Sequence, residues 1–169
     1  MPILRPEWFA LAIAQHPTLT PFGWTDAKQT WQEARQAWEE YGAVAEAVYD
    51  LVRLIRRRKT LLTYTSSYGI KHSVEDALGQ YVPNGLLIAT ALTLGFRHKR
   101  IEHSPNSWFN MSLPDLSLLT WLGYLRAGRS TSSLGVRLAG FNTQLVLTVW
   151  PHLRPSAQQI VRTTLRLKD

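Results

Sequence analysis

The stretch from Leu86 to Phe96 constrains the fold more than any other part of this chain. Leu86, Leu87, Ile88, Ala89, Ala91, Leu92 and Leu94 put apolar side chains on nearly every side of a helix. A helix that is apolar all round belongs inside a protein, not on its surface. Val82, Pro83 and Asn84 open it, with Pro83 suited to a first turn where a missing N–H costs nothing. Gly95 stands where a left-handed residue closes a helix. Thr90, Thr93 and Gly95 interrupt the run, which falls short of the roughly 18 apolar residues a membrane span needs. The pattern therefore predicts a buried central helix in a soluble chain, and the remaining sequence must supply the layers that cover it.

Those layers read as helical. A short helix is expected over 6–15, with Pro6 in its first turn, followed by the Pro/Gly-rich connector HPTLTPFGW. The N-terminal apolar run carries Glu7 and lacks a small-residue cleavage site, so it reads as a packing helix and not as a signal peptide. Thr25 and Asp26 offer an N-cap. Trp31, Ala34 and Trp38, then Tyr41, Ala45, Val48, Leu51, Val52 and Ile55, recur at helical spacing. They predict one long helix, or two hinged at Gly42, ending in Arg56–Lys59, where cations meet the negative end of the helix dipole. Thr60–Tyr64 suits a short strand or an extended connector.

Ser66 or Ser67 can cap a third helix running to Leu78, with Gly79 just past its end. Residues 67–95 thus form a helical hairpin. Residues 97–112 read as a basic then polar loop, with a short strand at Trp108–Met111. Ser112 caps a fifth helix through Ala127, with Gly128 beyond it. In 129–155, RSTSSLG is loop-like, and Gln144–Trp150 fits a strand or a buried helix equally. Ser156 caps a last amphipathic helix bearing Ile160, Val161, Leu165 and Leu167. The expected fold is mostly α: a compact helical domain with a buried hairpin near 67–95 and one or two short strands. A single domain over 1–169 is expected, with 1–59 as an N-terminal helical arm and 60–169 as a basic helical core.

Composition bounds the chemistry. Cysteine is absent, which excludes disulfides, thiolate metal sites and cysteine nucleophiles, and makes a reducing cytoplasm the simplest setting. Charge is divided unevenly. Residues 1–50 hold three bases (Arg5, Lys28, Arg35) against seven acids, a net of −4, leaving +11 for 51–169 out of the total of +7. Such asymmetry points to an anionic partner, or to an acidic segment that covers part of a basic one.

Three groups of residues carry candidate chemistry. The first is the hairpin itself, which resembles a helix-turn-helix in outline, but its second helix has little beyond Asn84 to read base edges. A buried hairpin is the better reading. The second group is His72 with Glu75 and Asp76, beside Lys71, where helical spacing puts imidazole and carboxylate on one face. That pairing can orient a general base or supply two metal ligands; a solvated surface pair is the plainer account. His98, Glu102 and His103 repeat the theme. Ser67 and Lys71, four apart, invite a Ser–Lys nucleophile, against a capping serine and a surface lysine.

The third group is basic. Arg53, Arg56, Arg57, Arg58 and Lys59 form one cluster, Arg97, Lys99 and Arg100 another, and Lys71, Arg126 and Arg129 add to them. Arginine outnumbers lysine, which suits bidentate phosphate contacts. Tyr64, Tyr68, Tyr81, Trp108 and Phe109 lie between the clusters in sequence and are candidates for stacking on bases, or else for the core. Asn84, Asn106, Asn110 and Ser104–Pro105 read first as turn chemistry, and alternatively as a hydrogen-bonded network joining the 97–112 loop to the central helix.

The segments YTSSYGIKHSVE (64–75), YVPNGLLIATALTLGF (81–96) and SPNSWFNMS (104–112) resemble uncharacterised proteins carried on bacterial plasmids and other mobile elements. That resemblance implies a bacterial, mobile-element setting and assigns no site residue or activity. Taken together, the sequence favours a non-enzymatic nucleic-acid-binding protein, without cofactor or metal, expected as a subunit or regulator of a nucleoprotein complex. The alternatives are a protein-interaction module, such as an inhibitor or adaptor, and a hydrolase built on the His72–Glu75 pair.

Overall fold

The computed structural model describes residues 7–28, 30–130 and 141–167. In chain order these form α1 (Glu7–Gln15), β1 (Leu19–Thr20), β2 (Gly23–Trp24), α2 (Trp31–Glu39), α3 (Gly42–Val52) and β3 (Arg57–Leu62). There follow α4 (Ser67–Leu78), α5 (Asn84–Thr93), β4 (His98–Arg100), β5 (Ser107–Met111), α6 (Leu113–Ala127), α7 (Thr143–Val149), a 3-10 turn at Trp150–His152 and α8 (Pro155–Leu165). The fold is helix-rich, with a two-stranded and a three-stranded antiparallel sheet. Among the described residues no helix is long and apolar enough to cross a membrane.

The apolar run is the axis of the molecule. Every residue of α5 from Asn84 to Ala91 is buried, and α1, α3, α4 and the β1–β2 hairpin all pack on it. One hydrophobic core extends from Phe9 to Leu165. From the first 59 residues, Phe9, Trp38, Val48 and Leu51 belong to that core. Close approach explains two glycines. At Gly85 an added Cβ would stand 1.8 Å from the Thr20 carbonyl oxygen, and the Gly85 N–H donates to Pro21 O at 2.7 Å. At Gly123 of α6 an added Cβ would come within 2.4 Å of Asp76 Cβ and 2.7 Å of the Asp76 carbonyl carbon, so α4 and α6 cross almost backbone to backbone.

Several boundaries differ from the sequence reading. Of the two readings for the long pattern, the two-helix one holds, with α3 starting at Gly42, but the N-cap of α2 is Thr30, not Thr25 or Asp26. Thr30 Oγ1 accepts the Glu33 N–H at 3.2 Å while Glu33 returns a bond to the Thr30 N–H at 3.0 Å, a reciprocal capping box. Helix α3 stops at Val52, so Arg56–Lys59 does not decorate a helix end. Buried Asp115 takes the Arg56 N–H at 2.8 Å and its guanidinium at 2.6–3.1 Å, drawing the chain out of helical geometry and into β3. The expected 97–112 loop is largely the β4–β5 hairpin. Residues 144–149 lie in helix α7, which buries Leu145, Val146 and Val149 and leaves Leu147 exposed, and α8 is capped at Arg154, not Ser156, with Ile160 facing outward. The loop expected at 129–135 lies mostly outside the described residues.

Candidate nucleic-acid interface

The three-stranded sheet has the order β3-β5-β4, with both pairings antiparallel. Strand β5 is buried at Ser107, Phe109, Asn110 and Met111, and Trp108 is its one half-buried residue. The register pairs Lys99 with Trp108 and Arg100 with Ser107 on one side, and Arg57 with Met111 on the other. Two basic clusters some 40 residues apart in sequence thus become the two outer strands of one sheet, with a tryptophan between them.

Asn110 holds the three strands together. Its side-chain Nδ2 donates to Arg58 O at 3.0 Å, and its Oδ1 accepts the Arg97 N–H at 2.7 Å. Its own N–H donates to Arg97 O at 3.0 Å. The β3–β5 register shifts between Arg57 and Leu62, and the amide of Asn110 fills the gap that this irregularity opens in the ladder.

The eleven basic residues singled out from the sequence do not share one surface. Arg57, Arg58, Lys59, Arg97, Lys99 and Arg100 belong to the sheet or its immediate approach. Arg57 also lies over the Phe96 ring at 5.3 Å and donates to Leu94 O at the end of α5. Arg100 pairs with Asp26 at 2.8 Å. No acid lies within ion-pair distance of Arg57, Arg58, Lys59, Arg97 or Lys99 among the described residues. Arg53 pairs with Asp50, and Arg56 is committed to Asp115. Arg126 and Arg129 sit apart from the sheet: the Arg126 guanidinium lies over Gly79, and Arg129 approaches Asp76 at 3.5 Å across Tyr124.

Lys71 is the clearest departure. It is 4% exposed, not a surface lysine, and Ser67 is fully buried. Ser66 is the N-cap of α4, and Ser67 Oγ accepts the Ser107 N–H at 3.1 Å, tying α4 to β5. The Lys71 ammonium donates to Glu75 Oε1 at 2.6 Å and lies 4.9 Å from the Tyr81 ring and 5.3 Å from that of Tyr68. Glu75 also accepts the Val82 N–H at 3.0 Å and meets His72 Nδ1 at 2.6 Å. Burial works to raise the Glu75 pKa, but the bonds from Lys71 and Val82, the Lys71 charge and the His72 contact outweigh it and hold the group below its ordinary value. A carboxylate so engaged joins α4 to the turn before α5, which is a structural task.

The network suggested by the asparagines is present. Asn84 Nδ2 donates to Asn106 Oδ1 at 3.0 Å and to Pro105 O at 3.1 Å, and Pro105 O also takes the Trp24 N–H at 3.0 Å. No protein donor reaches Asn84 Oδ1, and an unfilled buried acceptor costs about 1–3 kcal/mol. Of the aromatic residues named as stacking candidates, Phe109 is core, Trp108 is half-buried, and Tyr64, Tyr68 and Tyr81 are exposed. Sequence reasoning passed over Phe22 and Ser107, whose positions depend on contacts from distant segments. The second His–acid group does not assemble: His98 stacks on Trp24 at 6.0 Å, while His103 and Glu102 meet in solvent at 3.5 Å. The helical hairpin does not present a reading helix, because α5 is buried from Asn84 to Ala91.

Comparison with protein-family models, with curated proteins and with solved structures finds no match.

Proposed function

We propose that the β3-β5-β4 sheet binds a single nucleic-acid strand without catalysing a reaction on it. The observation that carries this reading is the register that sets Arg57–Lys59 and Arg97–Arg100 on either side of the strand bearing Trp108. Lys99 stands across from the half-buried Trp108, and this pair, with the other cations of the outer strands, supplies the two ingredients of single-strand recognition, phosphate neutralisation and base stacking. In this reading the protein is a cytoplasmic subunit or regulator of a nucleoprotein complex, a role compatible with the mobile-element setting that the resemblance implies. A protein-docking role is the second reading, favoured by exposed Tyr64, since tyrosine and arginine dominate interface hot spots. Nuclease treatment separates the two, because a protein partner survives it.

Salt dependence tests the proposal. Arg100 is paired with Asp26, so five sheet cations neutralising five phosphates give a slope of log K against log salt of about −3.5 for a single strand. The triple variant Lys59→Gln, Arg97→Gln and Lys99→Gln is expected to flatten that slope by about 2. A flat slope in the wild type, or no binding to DNA or RNA strands at low salt, refutes it.

A further inference from the structure

A cleft of about 390 Å³ opens beside the sheet, where the β4–β5 connection at Pro105–Asn106 faces α4 and the start of α5. This is within the range of small-molecule sites, about 300–1,000 Å³. Its mouth is ringed by Phe22, Tyr68 and Tyr81, which are 65%, 53% and 59% exposed. Three aromatic rings left this open around one concavity are unusual, since large apolar side chains ordinarily go inside. The interior is polar at a few points only. Lys71 donates one bond, to Glu75, and otherwise lies against the two tyrosine rings. Asn84 is held by its Nδ2 bonds to Asn106 and Pro105, and its Oδ1 has no protein donor. Asn106 accepts from Asn84 through Oδ1, and among the described residues its Nδ2 has no partner.

We propose that this cleft binds one nucleobase, stacked on Tyr68 or Tyr81 with its edge turned toward Lys71, Asn84 and Asn106. Flat aromatic walls accept any base, since every base has a π-face. The edge groups are more selective. Donors from Lys71 and Asn106 complement a base carbonyl. Guanine, uracil, thymine and cytosine present one; adenine does not. The base comes either from a strand lying on the sheet or from a free nucleotide. The first source requires the sheet reading to hold, and the second does not. Pro105 and Asn106 lead directly into β5, so a strand crossing the sheet passes the mouth of the cleft.

Binding of oligo-dT, oligo-dA, free UMP and free AMP to the full chain, followed by tyrosine fluorescence and calorimetry, tests this. The variants are Tyr68→Ala/Tyr81→Ala, Phe22→Ala as a milder change at an exposed ring, and the sheet triple variant above. Oligo-dT bound more tightly than oligo-dA, and weakened about ten-fold or more by the tyrosine pair and measurably by Phe22→Ala, establishes a strand-borne base. UMP binding that is lost in the tyrosine variant but kept in the sheet variant establishes the free nucleotide, and does so even if no strand binds and the sheet reading fails. Strand affinity lost only in the sheet variant, with the tyrosine and Phe22 variants unchanged and no UMP binding, overturns the cleft while leaving the sheet intact. Failure of the wild type to bind any of the four ligands overturns both.

Discussion

Replacing Asn110 with alanine removes the side chain that joins both basic strands to the centre of the sheet. Two hydrogen bonds disappear, each contributing a net of about 0.5–1.5 kcal/mol. The larger effect is on the groups left behind. Arg58 O and the Arg97 N–H lose partners at 3.0 and 2.7 Å, and each costs about 1–3 kcal/mol until water reaches it. Arg97 and Arg58 are themselves exposed, so water relieves part of that, and the expected loss is about 2–4 kcal/mol. For a chain of this length that corresponds to a fall in Tm of roughly 4–16 °C. Asn110→Asp is a sharper probe because it keeps the shape and the acceptor but sets a carboxylate against the Arg58 carbonyl. It is expected to destabilise at least as much as alanine. Urea unfolding gives the energies, and hydrogen exchange at the Arg97 amide reports the local bond. A loss below about 0.5 kcal/mol for alanine, or an aspartate variant as stable as wild type, refutes the role given to this residue.

Two further outcomes are expected. Gly123→Ala gains up to about 1 kcal/mol of helix propensity, but its Cβ at 2.4 Å from Asp76 Cβ forces α4 and α6 apart, and overpacking of this kind costs about 1–3 kcal/mol; a variant more stable than wild type in thermal unfolding contradicts the crossing. Burial lowers the pKa of His16 and His98, with the charge of His16 adding to the effect on His98. The unfolded chain then takes up protons first, so stability is full above about pH 7 and falls as pH drops below about 6.5; carboxylates titrate at lower pH. His98→Phe, which keeps a ring on Trp24, is expected to flatten the loss between pH 7.5 and 5 in denaturant titrations, and an unchanged profile counts against the assignment.

The central helix was legible because its signal is local: apolar residues at every angle of a 3.6-residue turn admit only burial. Gly79 and Gly128 were legible for the same reason, and both close helices in left-handed geometry at φ 68 and 70. The sheet was not. Strand β3 is a run of arginine and lysine that looks like a basic helix end, but it pairs with β5, and Asp115, 59 positions away, holds Arg56 just before it. Strand β4 has three residues and no apolar alternation of its own. Lys71 was misread because lysine is ordinarily a surface residue; two tyrosine rings and Glu75, the latter fixed from outside by the Val82 N–H, make its burial possible. The asparagine network was visible as a set of residues, yet its geometry depends on where the β1–β2 hairpin lands.

Among the described residues, strands β3 and β4 each leave one side without a partner strand. An open strand edge is a template for joining a second copy of the same chain, and lysine or arginine along it is a common deterrent to such joining. The cations proposed to hold phosphates therefore have a second task, keeping molecules of this protein from stacking edge to edge. Glutamine substitutions on these strands weaken both at once. A triple variant that sediments as aggregates would be showing the loss of mutual repulsion, and its affinity for a strand has meaning only at concentrations where it is still a single species.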